Sequence, residues 1–221
     1  MRKLVIALSI LVALGVAAPP ASAGPVLFEG LFYQDGAADA LSAAPAAWDL
    51  SGFNLLTGLG TITATATGLG LHSFGLFLDI EIDEDDNTFY NEYGTVAGAP
   101  GAGLQWEIDE PGYVFGDIYD NFVAGALDGT NGVPVGSPDD VSVALMWNVL
   151  LAADEKATLT WRISAIAPAG GFYLSQVDPD SGLEIYFQGD AEIRGATVPD
   201  PGGTLLLLGL GLAACVRGLR R

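Results

Sequence analysis

The chain of 221 residues carries one cysteine, one histidine and eight basic side chains against 27 acidic ones. Each scarcity excludes some chemistry. The lone cysteine, Cys215, lies close to the C-terminus, so no disulfide framework, thiolate zinc site or cysteine nucleophile serves the body of the protein. The lone histidine, His72, cannot build a metal centre that needs two imidazoles. In "LGLHSFGLF" it alternates with apolar neighbours, which predicts a hydrogen-bonded, half-buried strand histidine in preference to a general base. No G-x-S-x-G stands ahead of a helix-like segment.

Basic residues are scarcer still once the chain is partitioned. Arg2, Lys3, Arg217, Arg220 and Arg221 belong to the terminal segments, and removing these five from eight leaves Lys156, Arg162 and Arg194. All acids except Asp200 fall in the same middle region, so 26 carboxylates face three cations, a formal charge of −23. Such a field repels nucleic acid and anionic membranes and attracts cations, and nucleic acid is set aside as a partner. With so many acids some pair meets any glycosidase spacing, so paired carboxylates carry no catalytic signal. The expected function is non-enzymatic.

Both ends depart from this acidic composition. The first 23 residues read as a secretory signal peptide, with Arg2 and Lys3, an apolar stretch from Leu4 to Ala18, and Ala21-Ser22-Ala23 as the cleavage signal. At the other end, Val198, Pro199, Asp200 and Pro201 lead into fifteen apolar residues, 202–216, and then Arg217, Arg220 and Arg221. Fifteen helical residues cover about 22 Å against roughly 30 Å of hydrocarbon, which suits a transient inner-membrane insertion better than a permanent anchor. The arginines hold the end on the cytoplasmic side.

Between them, residues 24–197 form one domain of ordinary size. Period-two alternation dominates. In "TLTWRIS", Leu159, Trp161 and Ile163 face one way; in "VSVALMWNVLL", Val141, Val143, Leu145, Trp147 and Val149 share one phase, and the short "AADEKA" between them predicts a hairpin. A second hairpin is expected where "GGFYLSQV" and "GLEIYFQGDAEI" flank "DPDSG", with Leu183, Ile185 and Phe187 inward. "LGTITATATG" and "LHSFGLFLDIEID" supply further strands and "GYVFGDIYDNFV" a weaker one, with a minor helix in "GAADALSA" or "PAAWDL". Seven to nine strands and no helical segments between them predict an all-β sandwich or jelly roll. Trp147 and Trp161 are assigned to its core and Trp106 to its surface.

"LFLDIEIDEDDNTFYNEYG" holds the densest chemistry. Leu78, Ile80 and Ile82 alternate with Asp79, Glu81 and Asp83, placing carboxylates on one strand face roughly 7 Å apart, and Asp85, Asn87 and Glu92 follow. Hard oxygen ligands in this density suit calcium. An EF-hand is excluded, because Thr88 and Gly94 stand where its glycine and bidentate glutamate belong. The candidate ligands are therefore Asp79, Glu81, Asp83, Asp85, Asn87 and Glu92 on a β scaffold, with help from Glu107, Asp109, Glu110, Asp117 or Asp120. The competing reading is a solvated, charged strand edge that discourages aggregation.

The order of the C-terminal parts resembles the PEP-CTERM sorting signal of exported Gram-negative bacterial proteins, with Asp200 standing where the motif usually carries glutamate. The resemblance implies processing by an exosortase near residues 198–201 after signal peptidase has acted, then release or attachment at the cell surface, in the setting of exopolysaccharide and biofilm matrix. "TGLGTITATATGLGLHSFGLFLDIEID", "NEYG", "WEIDEPG" and "DDVSVALMW" also resemble an exported companion domain of such proteins, which implies a β architecture and no mechanism. A carbohydrate-binding module for extracellular polysaccharide is the alternative function.

Overall fold

Among the described residues, alternation turns into eleven strands arranged as two antiparallel sheets. The computed structural model describes residues 24–82, 89–112 and 114–195; the expected signal peptide, the expected sorting tail, and Asp83, Asp85 and Asn87 lie outside them. In chain order the strands are β1 (Val26–Gln34), β2 (Ala37–Ala40), β3 (Trp48–Asn54), β4 (Leu59–Thr67), β5 (Gly70–Glu81), β6 (Tyr93–Ala97), β7 (Leu104–Asp109), β8 (Ser142–Leu151), β9 (Glu155–Ser164), β10 (Tyr173–Val177) and β11 (Glu184–Gly195). One helix, α1 (Ile118–Ala124), lies between β7 and β8. The sheets run β2-β1-β5-β8-β7 and β3-β4-β9-β11-β10-β6, so the sandwich expectation holds with more strands than counted.

The core between the sheets is built from the inward phase of each strand. Ile62, Ala64 and Ala66 of β4, Leu159, Trp161 and Ile163 of β9, and Ile185 and Phe187 of β11 meet Leu76, Leu78 and Ile80 of β5 and Val143, Leu145 and Trp147 of β8. Trp48 stacks on Trp161 with ring centroids 5.1 Å apart, and the Trp161 indole N–H donates across the layer to the Leu145 carbonyl at 3.3 Å. The β10–β11 hairpin forms as expected. Asp178 accepts from the amides of Asp180 and Ser181 in its turn, and Gly182 takes the positive φ of 72°.

The expected β8–β9 hairpin does not form. β8 pairs with β5 and β7, and β9 with β4 and β11, so residues 152–154 carry the chain from one sheet to the other. Two strands pointing tryptophans into one shared core show the same alternation whether they neighbour each other or face each other. "DIYDNFV" is helix and not strand: Ile118 and Phe122, four apart on one face, are both fully buried, and Gly125 ends the helix in the left-handed region at φ 71°. Of the segments suggested for a minor helix, "GAADALSA" makes a short 3-10 helix at Leu41–Ala43 after the strand Ala37–Ala40, and "PAAWDL" leads into the strand Trp48–Asn54.

α1 closes the outer face of the five-stranded sheet. Ile118, Phe122 and Leu127 pack on Leu31, Tyr33, Phe77, Ala144 and Met146, and a Cβ at Gly75 would stand only 2.9 Å from Phe122 and Met146, so the helix seats where the sheet has no side chain. β5 and β8 are thereby buried on both faces. Phe122→Ala is expected to cost about 3–5 kcal/mol through the void it leaves, whereas Thr65→Ala on the exposed face stays within about 0.5 kcal/mol; denaturant unfolding of the two variants checks this.

Candidate cation site on the central strand

The covered face of the five-stranded sheet ends in acids. Cross-strand register sets Glu29 of β1 beside Asp79 of β5, Asp79 beside Ser142 of β8, and Ser142 beside Asp109 of β7. Asp79 is 1% exposed, Glu81 7% and Ser142 0%. β5 is the middle strand of its sheet, so the solvated-edge reading is overturned for these two carboxylates: they lie in the interior.

The segment ahead of β8 supplies a third. The Asp139 amide donates to the Glu92 carbonyl at 2.9 Å, tying that segment to the residues just before β6, and Asp140 arrives next to the end of β5. Carboxylate oxygens of Asp79, Glu81 and Asp140 lie within 4.8 Å of one another. Glu92, 1% exposed, stands beside them with its oxygens engaged: the Ile82 amide donates to Oε1 at 3.2 Å, and the Gln176 side-chain amide donates to Oε2 and to the Ile80 carbonyl. Asp79 Oδ1 accepts no hydrogen bond, and the Gln176 Oε1 and Ser142 Oγ atoms are likewise buried without a partner. The Ser142 hydroxyl is near enough to ease the charge on Asp79 slightly, but not in normal hydrogen-bond geometry.

Burial dominates the electrostatics. It pushes Asp79 up to about 8, helped by the charges of Asp140, Glu81 and Glu29, and Glu92 up to about 9 against the pull of its Gln176 and Ile82 donors. No basic side chain relieves this, because Lys156, Arg162 and Arg194 are all on β9 and β11 of the other sheet. Buried carboxylates in this state keep protons or gain a cation.

A second acidic group is held differently. Glu107, Asp117 and Asp128 also bring oxygens within 4.8 Å, yet Glu107 Oε1 accepts from Asn121 Nδ2 at 3.0 Å and Oε2 from the Asp128 amide at 3.1 Å. Asp109 accepts from the Asp117 amide at 2.8 Å. These bonds pin α1 and the loop after it; burial raises Glu107 to about 7.

Of the six sequence-predicted ligands, then, Asp79 and Glu81 come together, Glu92 is adjacent but engaged, and Asp83, Asp85 and Asn87 are outside the described residues. Asp140 and Ser142 were missed. Their signal was the "SPDDVS" run directly ahead of a strand, but only the β5–β8 register attaches it to Asp79. His72 is held as expected, with Nδ1 3.1 Å from Asp35 Oδ2 and Nε2 3.2 Å from the Gly68 carbonyl, and the Asp35 contact raises its pKa. Trp106 is half-buried against Phe172, ring centroids 5.9 Å apart, and does not stand out as an exposed aromatic.

Fold and geometry define a two-sheet, all-β protein with an interior carboxylate cluster. No family model, curated protein or solved structure matches the chain. Among the described residues no helix is long and apolar enough to cross a membrane.

In chelator, the raised pKa values of Asp79 and Glu92 set a direction. Between the ordinary carboxylate range and about pH 8–9 the folded state holds protons that the unfolded chain has released, so their contribution is full at low pH and lost as pH rises through that window. The melting temperature is expected to be lower at pH 8 than at pH 5. General charge repulsion acts in the same direction, so the Asp79→Asn, Glu92→Gln double variant is the control: it flattens the dependence, and an unchanged slope would locate the effect elsewhere.

Proposed function

We propose that this chain is a non-enzymatic exported surface or matrix protein whose acidic β-sandwich binds calcium at Asp79, Glu81 and Asp140. The observation that carries the reading is Asp79, whose Oδ1 is interior and accepts no hydrogen bond, standing in a group of carboxylates on a sheet with no lysine or arginine. Calcium takes six to eight oxygens in a flexible geometry. The three carboxylates offer up to six, and the buried Ser142 hydroxyl is a further oxygen beside Asp79. A buried ammonium or guanidinium would serve the same charge, but the domain places none there.

Delivery rests on the terminal segments. Signal peptidase removes residues 1–23, an exosortase-type enzyme acts near residues 198–201, and the apolar stretch 202–216 with Arg217, Arg220 and Arg221 holds the chain in the inner membrane until then. Mass spectrometry of the protein recovered from cells is expected to show a chain beginning at Gly24 and lacking residues 202–221. A mature protein that keeps those residues would make the tail a plain anchor.

Calcium binding is tested by thermal melts. At a free calcium concentration about 100 times Kd, linkage contributes about 2.7 kcal/mol, roughly 5–10 °C in Tm for a domain of this size. Asp79→Asn is expected to melt higher than wild type at pH 7–8 in chelator, because it removes a carboxyl that must either take up a proton or bury its charge on folding, and to lose the calcium increment. Equal melting of the wild type in chelator and in millimolar calcium would refute the site.

A further inference from the structure

The outer face of β5 and β8 changes character along its length. The rung that pairs Asp79 with Ser142 is acidic, the rungs Phe77–Ala144 and Gly75–Met146 lie under α1, and on the rung beyond them Ser73 Oγ donates to Asn148 Oδ1. The next rung pairs Leu71 with Leu150. These two leucines are 66% and 71% exposed, and Leu69, in the turn that leads into β5, is 75% exposed. Side chains of register partners stand together on one face of a sheet, so the face ends in an apolar patch open to solvent.

The chain leaves the sandwich at the same end. Residues 152–154 carry it from Leu151 of β8 to Glu155 of β9, and Glu155 is the register partner of Gly195, the last residue of β11. β1 begins at the opposite end, with Val26 beside Glu81, so of the two ends of the domain only the C-terminal one departs at the leucines. Six residues, 196–201, then separate Gly195 from the apolar stretch 202–216. Fully extended, they reach about 25 Å. A tether that short keeps this end of the sandwich at the surface of any bilayer that the apolar stretch enters.

Charge favours contact here over contact elsewhere. Lys156 and Arg194, two of the domain's three cations, are register partners on the adjoining rung and offset the acids around them. Asp79 and Glu81, at the far end of β5, have no lysine or arginine on their sheet. Eight residues of strand put Asp79 about 26 Å from Leu71. We propose that Leu69, Leu71 and Leu150 dock on the lipid surface while the tail is inserted, seating the sandwich end-on with its carboxylate site turned to the medium. The inference rests on the membrane insertion of residues 202–216 put forward above. Exposed leucines gain transfer free energy on entering the headgroup region without spanning it, yet so small an apolar area gives only reversible binding, so removal of the tail frees the domain.

The test uses residues 24–221 reconstituted into phosphatidylcholine vesicles and followed by flotation. In a Cys215→Ala background, an environment-sensitive fluorophore is attached at Asp154→Cys, at the exposed crossing beside Leu150, or at Ser137→Cys, an exposed position ahead of β8 at the acidic end. Quenchers carried on the lipid acyl chains are expected to lower the emission at position 154 by about half and to leave position 137 unaffected. Leu69→Thr, Leu71→Thr and Leu150→Thr together, at exposed positions where threonine suits a strand, leave the melting temperature and the flotation unchanged and abolish the quenching. A floating chain with no quenching at position 154, or with equal quenching in the threonine variant, overturns the docking and leaves insertion standing. A label that is shielded from water but out of reach of the lipid quenchers means that the tail or a second copy covers the leucines, which also overturns it. A chain that does not float overturns insertion and docking together.

Discussion

Asp79 and Glu81 must be accommodated in the interior of a sheet that contains no lysine or arginine. Everything around them answers to that constraint. Glu92 is held by an amide side chain and a backbone N–H, Asp140 is led in by the bond between the Asp139 amide and the Glu92 carbonyl, and the charge that remains is met by protons or by something brought from outside. A buried charge with no built-in counter-charge makes stability conditional on the medium in a way that an apolar core does not.

The cover over that face is what turns an ordinary alternating strand into this problem. Without α1 and the loops on either side of it, the outward phase of β5 and β8 would be wet, and acids there would be unremarkable. With Phe122 seated over Gly75 and Leu127 and Ile118 beside it, the same phase becomes interior, apolar under the helix and acidic beyond it. Glu107 serves the cover directly, since both of its oxygens accept from the helix and the turn that follows.

Alternation made the inward rows of β4, β8, β9 and β11 legible, down to the placement of Trp147 and Trp161, because period two survives whichever neighbour a strand has. Neighbourhood itself was hidden. "AADEKA" is as short in an arch between sheets as in a hairpin, so β8 and β9 were joined wrongly. α1 was missed because seven residues give two buried positions, Ile118 and Phe122, and aromatic and β-branched residues around them imitate a strand. Asp79 and Glu81 were picked out by density of acids, but their burial depends on a segment 30 to 60 residues further on, and Asp140 joins them only through sheet register. Local pattern reaches the element, and the site is made between elements.

All three cations of the domain lie exposed on β9 and β11, while the interior acids Asp79, Glu81 and Glu107 belong to the opposite sheet. The two layers of the sandwich are thus electrically unlike, and the molecule has a polarity across its thickness as well as a net charge. Near a fixed negative surface such a body experiences a torque: the six-stranded layer turns toward the surface, and the layer holding Asp79 turns toward the solution from which ions arrive.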